Sequence, residues 1–258
     1  MEDAARMLEC DRSKVSRVET GERGIRLKEL RELLAEYDID AGQEATLIDL
    51  ADPRGAFGWY RDYADVLSGG RRDYLILEAA ATEIQGYEAQ QIPGLLQTRR
   101  YARALAKAEP VLRDDAALDR AADAVLLRQQ AIFLGDRKPD IHLIIGEAAL
   151  HQQVGGAKVM HEQLAHVAHV AGDSGAVTVQ VLPFESGAHA ATGDGSLAFA
   201  HVTEAPGLGV VHLGGVGGGV CLEGSNNLTA YAEAFDQLRA FALSPAQSAL
   251  LLRGLVGD

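Results

Sequence analysis

The chain has 258 residues, of which 47% are hydrophobic and only 5% aromatic, so its core must be built mainly from alanine, valine and leucine. No run approaches the roughly 18 apolar residues of a membrane span. The opening MEDAARMLECD lacks a signal-peptide core, and the widely separated Cys10 and Cys221 read as reduced thiols of a cytoplasmic protein. A formal net charge of −13 repels nucleic acid on average, although a local basic face can still bind it.

Residues 2–9 read as a short helix, with Ala4, Ala5 and Leu8 at helical spacing. Cys10 and Asp11 make a turn, and Asp11 is placed to cap a helix over 12–20 that Gly21 ends. In that helix Val15 and Val18 face inward, leaving Arg12, Ser13, Lys14, Ser16 and Arg17 outward. Basic groups of this kind reach phosphates or guanine edges, and serine hydroxyls reach phosphates and bases. The competing reading is a solvated helix face. Charge favours that reading, because the first 40 residues hold eight Lys/Arg against eleven Asp/Glu, a net of −3. An amphipathic helix follows over 27–37, with Leu27, Leu30, Leu33 and Leu34 on one face. Residues 38–42 break it, 44–51 form another short helix, and Asp52-Pro53-Arg54-Gly55 reads as a linker. This places a helical module at 1–52 and a larger domain at 57–258.

The larger domain opens with Phe57, Trp59, Tyr60 and Tyr63, four of the chain's fourteen aromatics, in a pattern that suits docking between domains. Residues 73–84 are helical or extended. From Gly86 the sequence reads GYEAQQIPGLLQTRRYARAL: a strand or helix end, a turn at Pro93-Gly94, then a helix with Leu95, Leu96, Tyr101 and Leu105 along one side. A long helix spans 114–133, with Leu118, Ala122, Val125, Leu126 and Ile132 inward and Arg128 placed either to hold a buried carboxylate, the favoured reading, or to bind an acidic ligand. Strands follow at 141–145 and 177–182, with a helix over 160–170 between them. Further strands at 197–202, 210–213 and 220–222 precede helices at 227–243 and 245–255, the last capped by Ser244. The order predicts an α+β fold: an all-α N-terminal module, then a domain with one mixed or antiparallel sheet.

Several of these strings occur together in one known family. YEAQQIPGLLQTRRYARAL at 87–105, GWYRDY at 58–63, LILEAAATEI at 75–84, EAALHQQVGGAKVMHEQL at 147–164, VTVQVLPFESGAH at 177–189 and FDQLRAFALSPAQS at 235–248 resemble, in order, an actinobacterial domain of unknown function. That domain usually follows an XRE-type helix-turn-helix in transcriptional regulators. DRSKVSRVETGER at 11–23 in turn resembles the turn and recognition helix of such a module, which marks Lys14, Ser16 and Arg17 as base or phosphate contacts and Glu19 as a brace. Relatives carry one more helix ahead of this pair, so the module reads as lacking its first helix, leaving Leu8, Val15 and Val18 without a partner surface. The resemblance implies a cytoplasmic, dimeric, DNA-binding regulator whose large domain senses a small molecule or a small partner protein.

Catalytic signatures are sparse. His161, His166 and His169 do not make an HExxH pair, and 214–220 is glycine-rich without the Lys-Ser/Thr of a phosphate loop, so it reads as a hairpin. No metal or cofactor is expected. Glu78, Glu88, Glu147, His189 and Glu223 stand at element ends, where they suit a ligand pocket or general acid–base work. The alternative function is therefore a cofactor-independent cyclase or isomerase of specialised metabolism that has lost DNA binding.

Overall fold

The structure is a computed structural model. It describes every residue except 21, 38, 40, 52–57, 68, 113, 136, 173, 174, 176, 194, 202–208, 216, 217 and 258, and for 58, 69, 70, 72, 73 and 199–201 it describes the backbone alone. The chain divides into two compact units, Met1–Gly58 and Trp59–Asp258. Gly21, the linker at 52–55 and Phe57 of the sequence reading lie outside the described residues.

The first unit holds α1 (Glu2–Met7), α2 (Arg12–Glu19), α3 (Leu27–Glu36) and α4 (Ala41–Ala51). Ala4 and Ala5 of α1 pack on Val15 of α2, with Cys10 and Leu33 beside them. Small alanines let the two short helices approach closely, so a three-residue core suffices to hold them. Asp11 sits at the N-cap of α2 but makes no side-chain cap bond, contrary to the capping expected of it. Gly42, expected in a break, lies inside α4. Leu8, Val15 and Val18 line a recess of about 180 Å³ with Leu33 and Tyr37.

The second unit is organised on a six-stranded sheet in the order β3-β2-β1-β4-β5-β6. The strands are β1 (Glu83–Glu88), β2 (Asp140–Gly146), β3 (Val177–Leu182), β4 (Leu197–His201), β5 (Gly209–Leu213) and β6 (Val220–Leu222). β1, β2 and β3 run parallel, whereas β4, β5 and β6 are antiparallel to their neighbours. The parallel half needs crossovers. α6 (Arg99–Ala106) and α7 (Asp115–Leu134) join β1 to β2; α8 (Glu147–His151) and α9 (Ala157–Gly172) join β2 to β3. α5 (Gly69–Ala80) precedes β1, and α10 (Ser225–Phe241) and α11 (Pro245–Val256) end the chain.

Alternation along the strands divides the core. Ile84, Ile141, Leu143, Ile145, Val179 and Val181 face α5, α6, α7, α9 and α11 in the main cluster. Tyr87, Ile144, Leu182 and Leu197 face the other way, onto Phe235 and Leu238 of α10. Burial on both faces is why IHLII reads as an unbroken apolar run. The outer edge of β3 is covered: Val181 donates its N–H to Ser248 Oγ at 2.9 Å, and its carbonyl accepts from Leu243 N at 2.9 Å. Ser244 caps α11 in a capping box with Gln247.

Two expectations shift. Leu95 and Leu96 lie in a short 3-10 turn, Gly94–Leu96, and the helix begins only at Arg99, capped by Thr98. Val125 and Leu126 are half-buried, while Ala124 is fully buried, because α7 turns its small residues to its closest neighbours. The aromatics Trp59 and Tyr63 pack within the second unit: Trp59 joins its core, and Arg120 of α7 lies 4.9 Å from the Tyr63 ring centroid while pairing with Asp65 at 2.6 Å.

Candidate functional site

The Pro-Gly turn holds the site in place, and side chains hold the turn. Ile92, Leu95 and Leu96 are almost completely buried, so the polar backbone between them must find partners inside the protein. Ile92 N donates to Tyr101 Oη at 3.1 Å, and its carbonyl accepts from Gln97 Nε2 at 2.7 Å. Gln129 Nε2 donates to the carbonyls of Gly94 and Gln97 at 2.9 and 2.8 Å. Gln163, itself fully buried, donates to the Leu96 carbonyl and accepts from Thr98 N, both at 2.7 Å. Four side chains thus do the work that a sheet ladder would do elsewhere.

Beside this turn lies a charged cluster. Arg128 Nε and Nη2 each meet a carboxylate oxygen of Glu78 at 2.6 Å, a bidentate pair in which Glu78 is 1% exposed. Tyr74 Oη also donates to Glu78, at 2.8 Å. A Cβ at Gly94 would stand 2.5 Å from Arg128 Nη1, so the guanidinium packs where only glycine leaves room. Desolvation opposes the charge on Arg128, but Glu78 outweighs it and raises the guanidinium pKa. Desolvation also pushes the Tyr74 phenol well up, with Glu78 adding to the effect.

The cluster continues towards the C-terminal end of β1. Glu88 shares the strand face of Ile84 and Gly86; it accepts from Gln91 Nε2 at 3.1 Å and from the side chain of Ser196, which precedes β4. The Tyr74 ring lies 5.2 Å from that of His212 on β5, whose Nε2 is 2.7 Å from the Gly218 carbonyl. Desolvation lowers the His212 pKa against that hydrogen bond. Gly219 closes this hairpin at φ +79°, and a Cβ there would strike the Leu213 carbonyl. Arg71 completes the group from the first turn of α5. Its charge interacts with Arg128, Glu88, Glu109 and Glu78, and desolvation, then Arg128, lowers its pKa.

Of the residues singled out in the sequence, Glu78 and Glu88 come together here. The others do not. Glu147 accepts from Phe184 N at 2.8 Å and stands 3.6 Å from His151 at the end of β2. His189 lies with Tyr87 on the opposite sheet face, ring centroids 5.5 Å apart. Glu223 is exposed beyond β6, where its carbonyl accepts from Asn227. In the first unit Arg12, Ser13 and Arg17 are exposed, though Arg12 pairs with Glu2 at 2.6 Å. Lys14 and Ser16 are half-buried rather than outward, and Lys14 is tied to Glu29 at 2.7 Å. Arg71, Tyr74, Gln91, Ser196 and His212 were not singled out in the sequence. The spacing Arg71–Tyr74–Glu78 was the available signal, because i, i+3, i+7 is one stripe of a helix.

A wider recess of about 630 Å³ lies between α9 and α11, but small residues such as Ala165, Ala168 and Gly172 form much of its wall, with His169 and Arg253. The convergence of opposite charges places the site at β1 instead. Among the described residues, no group of three His, Cys, Asp or Glu is arranged to hold a metal ion. None of the described helices is long and apolar enough to cross a membrane.

Glu88 also gives a pH-dependent expectation. Desolvation raises its folded-state pKa above the ordinary 4.5, despite opposing hydrogen bonds from Ser196 and Gln91 and the charges of Arg71 and Arg128. The folded chain therefore keeps a proton that the unfolded chain releases, and stability falls as pH rises from the unfolded pKa through the folded one. Glu88→Gln should melt higher than the parent at neutral pH and lose that advantage in acid below the unfolded pKa. Melting curves across this pH range check it; a constant offset at all pH values would show that the carboxyl is not strained by burial.

These features define a mixed-sheet α+β domain with a polar cluster at the C-terminal end of its first parallel strand. Residues 71–254 match the family model described as a domain of unknown function (DUF5753), and the chain belongs to that family. No curated protein and no solved structure matches the chain significantly.

Proposed function

We propose that the chain is a DNA-binding transcriptional regulator whose large unit senses a small molecule or a small partner protein. The supporting observation is the pair α1 and α2, held together by Ala4, Ala5 and Val15, with Arg12, Ser13 and Arg17 exposed on α2. A packed first helix and a basic, hydroxyl-bearing face on the second is the arrangement by which short helices enter a major groove. The sequence resemblance of 11–23 to an XRE recognition segment supports the same reading. The pairings of Lys14 with Glu29 and of Arg12 with Glu2 neutralise two cations of that face, so Arg17, without a carboxylate partner among the described residues, carries most of its charge. In this reading the chain is cytoplasmic and binds its operator as a homodimer. Ligand or partner binding to the large unit favours one disposition of the paired DNA-binding modules.

The test is fluorescence anisotropy of the full chain with promoter DNA from its own gene cluster, at low and moderate salt. Specific binding should weaken steeply with salt, and Arg17→Ala should weaken it about tenfold while reducing the salt slope by about one. No binding at either salt by folded protein would overturn the reading. The burial of Glu88 beside Gln91 and Ser196 favours a second one: a carboxyl whose pKa desolvation raises holds its proton to higher pH than an ordinary glutamate, which suits a general acid such as a cofactor-independent cyclase or isomerase needs. Turnover of a cluster metabolite that Glu88→Gln abolishes without loss of binding would support it.

A further inference from the structure

We propose that the recess of the first unit is a binding site for a small, neutral, apolar molecule about the size of one benzene ring. Such a site goes beyond the sensing role given to the large unit and does not depend on it. Three helices enclose the recess, each through a single turn: Ala4 and Leu8 of α1, Val15 and Val18 of α2, and Leu33 and Tyr37 at the end of α3. Single turns close a dimple. A docked helix would need anchors at i, i+3 or i+4 and i+7, and so a groove at least about two turns long. The volume of about 180 Å³ instead suits one ring. An apolar protein cavity of about 150 Å³ stays dry and takes up benzene.

The walls set the chemistry of the ligand. Lys14 also lines the recess, but its Nζ meets Glu29 Oε1 at 2.7 Å, so it offers its apolar stem. Glu19 is exposed, which leaves its carboxylate in water. Tyr37 is 55% exposed and belongs to the mouth. The remaining wall is aliphatic, so a charged or strongly polar ligand would lose its hydration without gaining a partner among these residues.

The same walls supply the driving force. Leu8, Val18 and Leu33 are only half-buried, and a ring laid against them takes their apolar surface out of water. Val15 and Val18 lie on the side of α2 away from Ser13 and Arg17, both exposed, so an occupied recess leaves the proposed DNA-facing side free.

Methyl NMR of the full chain titrated with benzene tests the site. Saturable shifts are expected at the methyls of Leu8, Val15, Val18 and Leu33, with a dissociation constant below about 1 mM. Benzoate, similar in size but charged, should bind at least about tenfold more weakly. Val18→Phe fills the recess from its own wall and should weaken benzene about tenfold or more while melting no lower than the parent. Leu8→Phe does the same from α1 and keeps the test open should Val18→Phe not fold. No saturable shift up to the solubility limit, shifts mainly outside the first unit, equal binding of benzoate, or equal binding by parent and filled variant would overturn the proposal. So would Overhauser contacts from the Val18 methyls to a second copy in a mixed-label sample, because a protein side chain would then fill the recess. Benzene binding by a chain that binds no DNA would keep this site and retire the regulator; DNA binding without benzene binding would do the reverse.

Discussion

Replacing Arg128 with alanine should destabilise the large unit by about 3–5 kcal/mol, because it leaves the buried Glu78 carboxylate without its counter-charge. Glu78 is 1% exposed, and after the change Tyr74 Oη is the one remaining donor to it among the described residues. The loss exceeds that of an exposed ion pair, where water replaces the missing partner; Arg99 with Asp123, both more than two-fifths exposed, should cost at most about 1 kcal/mol. The double change Arg128→Met with Glu78→Leu should recover much of the stability, since it removes both charges while filling similar volume. Urea unfolding of the parent, both single variants and the pair gives the coupling directly. A loss of less than about 1 kcal/mol in Arg128→Ala would mean that Glu78 escapes the penalty by protonation or by reaching solvent.

The second large effect is expected at Gln163. Its side chain donates to the Leu96 carbonyl and accepts from Thr98 N, at a position with no solvent exposure. Gln163→Ala orphans both backbone groups at about 1–3 kcal/mol each, giving a total of about 2–6 kcal/mol. Gln129→Ala also frees two carbonyls, but Gln129 is itself half-buried whereas Gln163 is fully buried, so its effect should be smaller. Hydrogen exchange at Thr98 N–H should quicken in the Gln163 variant beyond what global destabilisation explains. Equal stability of parent and Gln163→Ala would show that the Pro-Gly turn is held by its apolar contacts alone.

The two effects meet in one place. Gln163 and Gln129 fix the turn, Gly94 in the turn leaves room for Arg128, and Arg128 closes on Glu78.

The sequence by itself determined the elements whose signals are local. VTVQVL could only be a strand, and 177–182 is one; Ser244 with Gln247 three residues on announced the start of α11, and the capping box is formed. The α+β class and the pairing of β5 with β6 were also legible, because each rests on residue chemistry near in sequence or on composition; that Arg128 holds a buried carboxylate was legible from the resemblance, but its partner Glu78, fifty residues away, was not. Tertiary structure decided the rest. EIQGYE at 83–88 carries a glycine and two glutamates and looks a poor strand; it becomes the third strand in the sheet order because β2 and β4 pair with both its edges. Lys14 looked solvent-facing from helical spacing alone, yet Glu29, fifteen residues on, draws it in. Glu78 and Glu88 both border the Tyr74–Arg128 pair, whereas Glu147, His189 and Glu223 go elsewhere, because partner choice depends on which strand is neighbour to which, and that is fixed by burial across the sheet rather than by any local pattern.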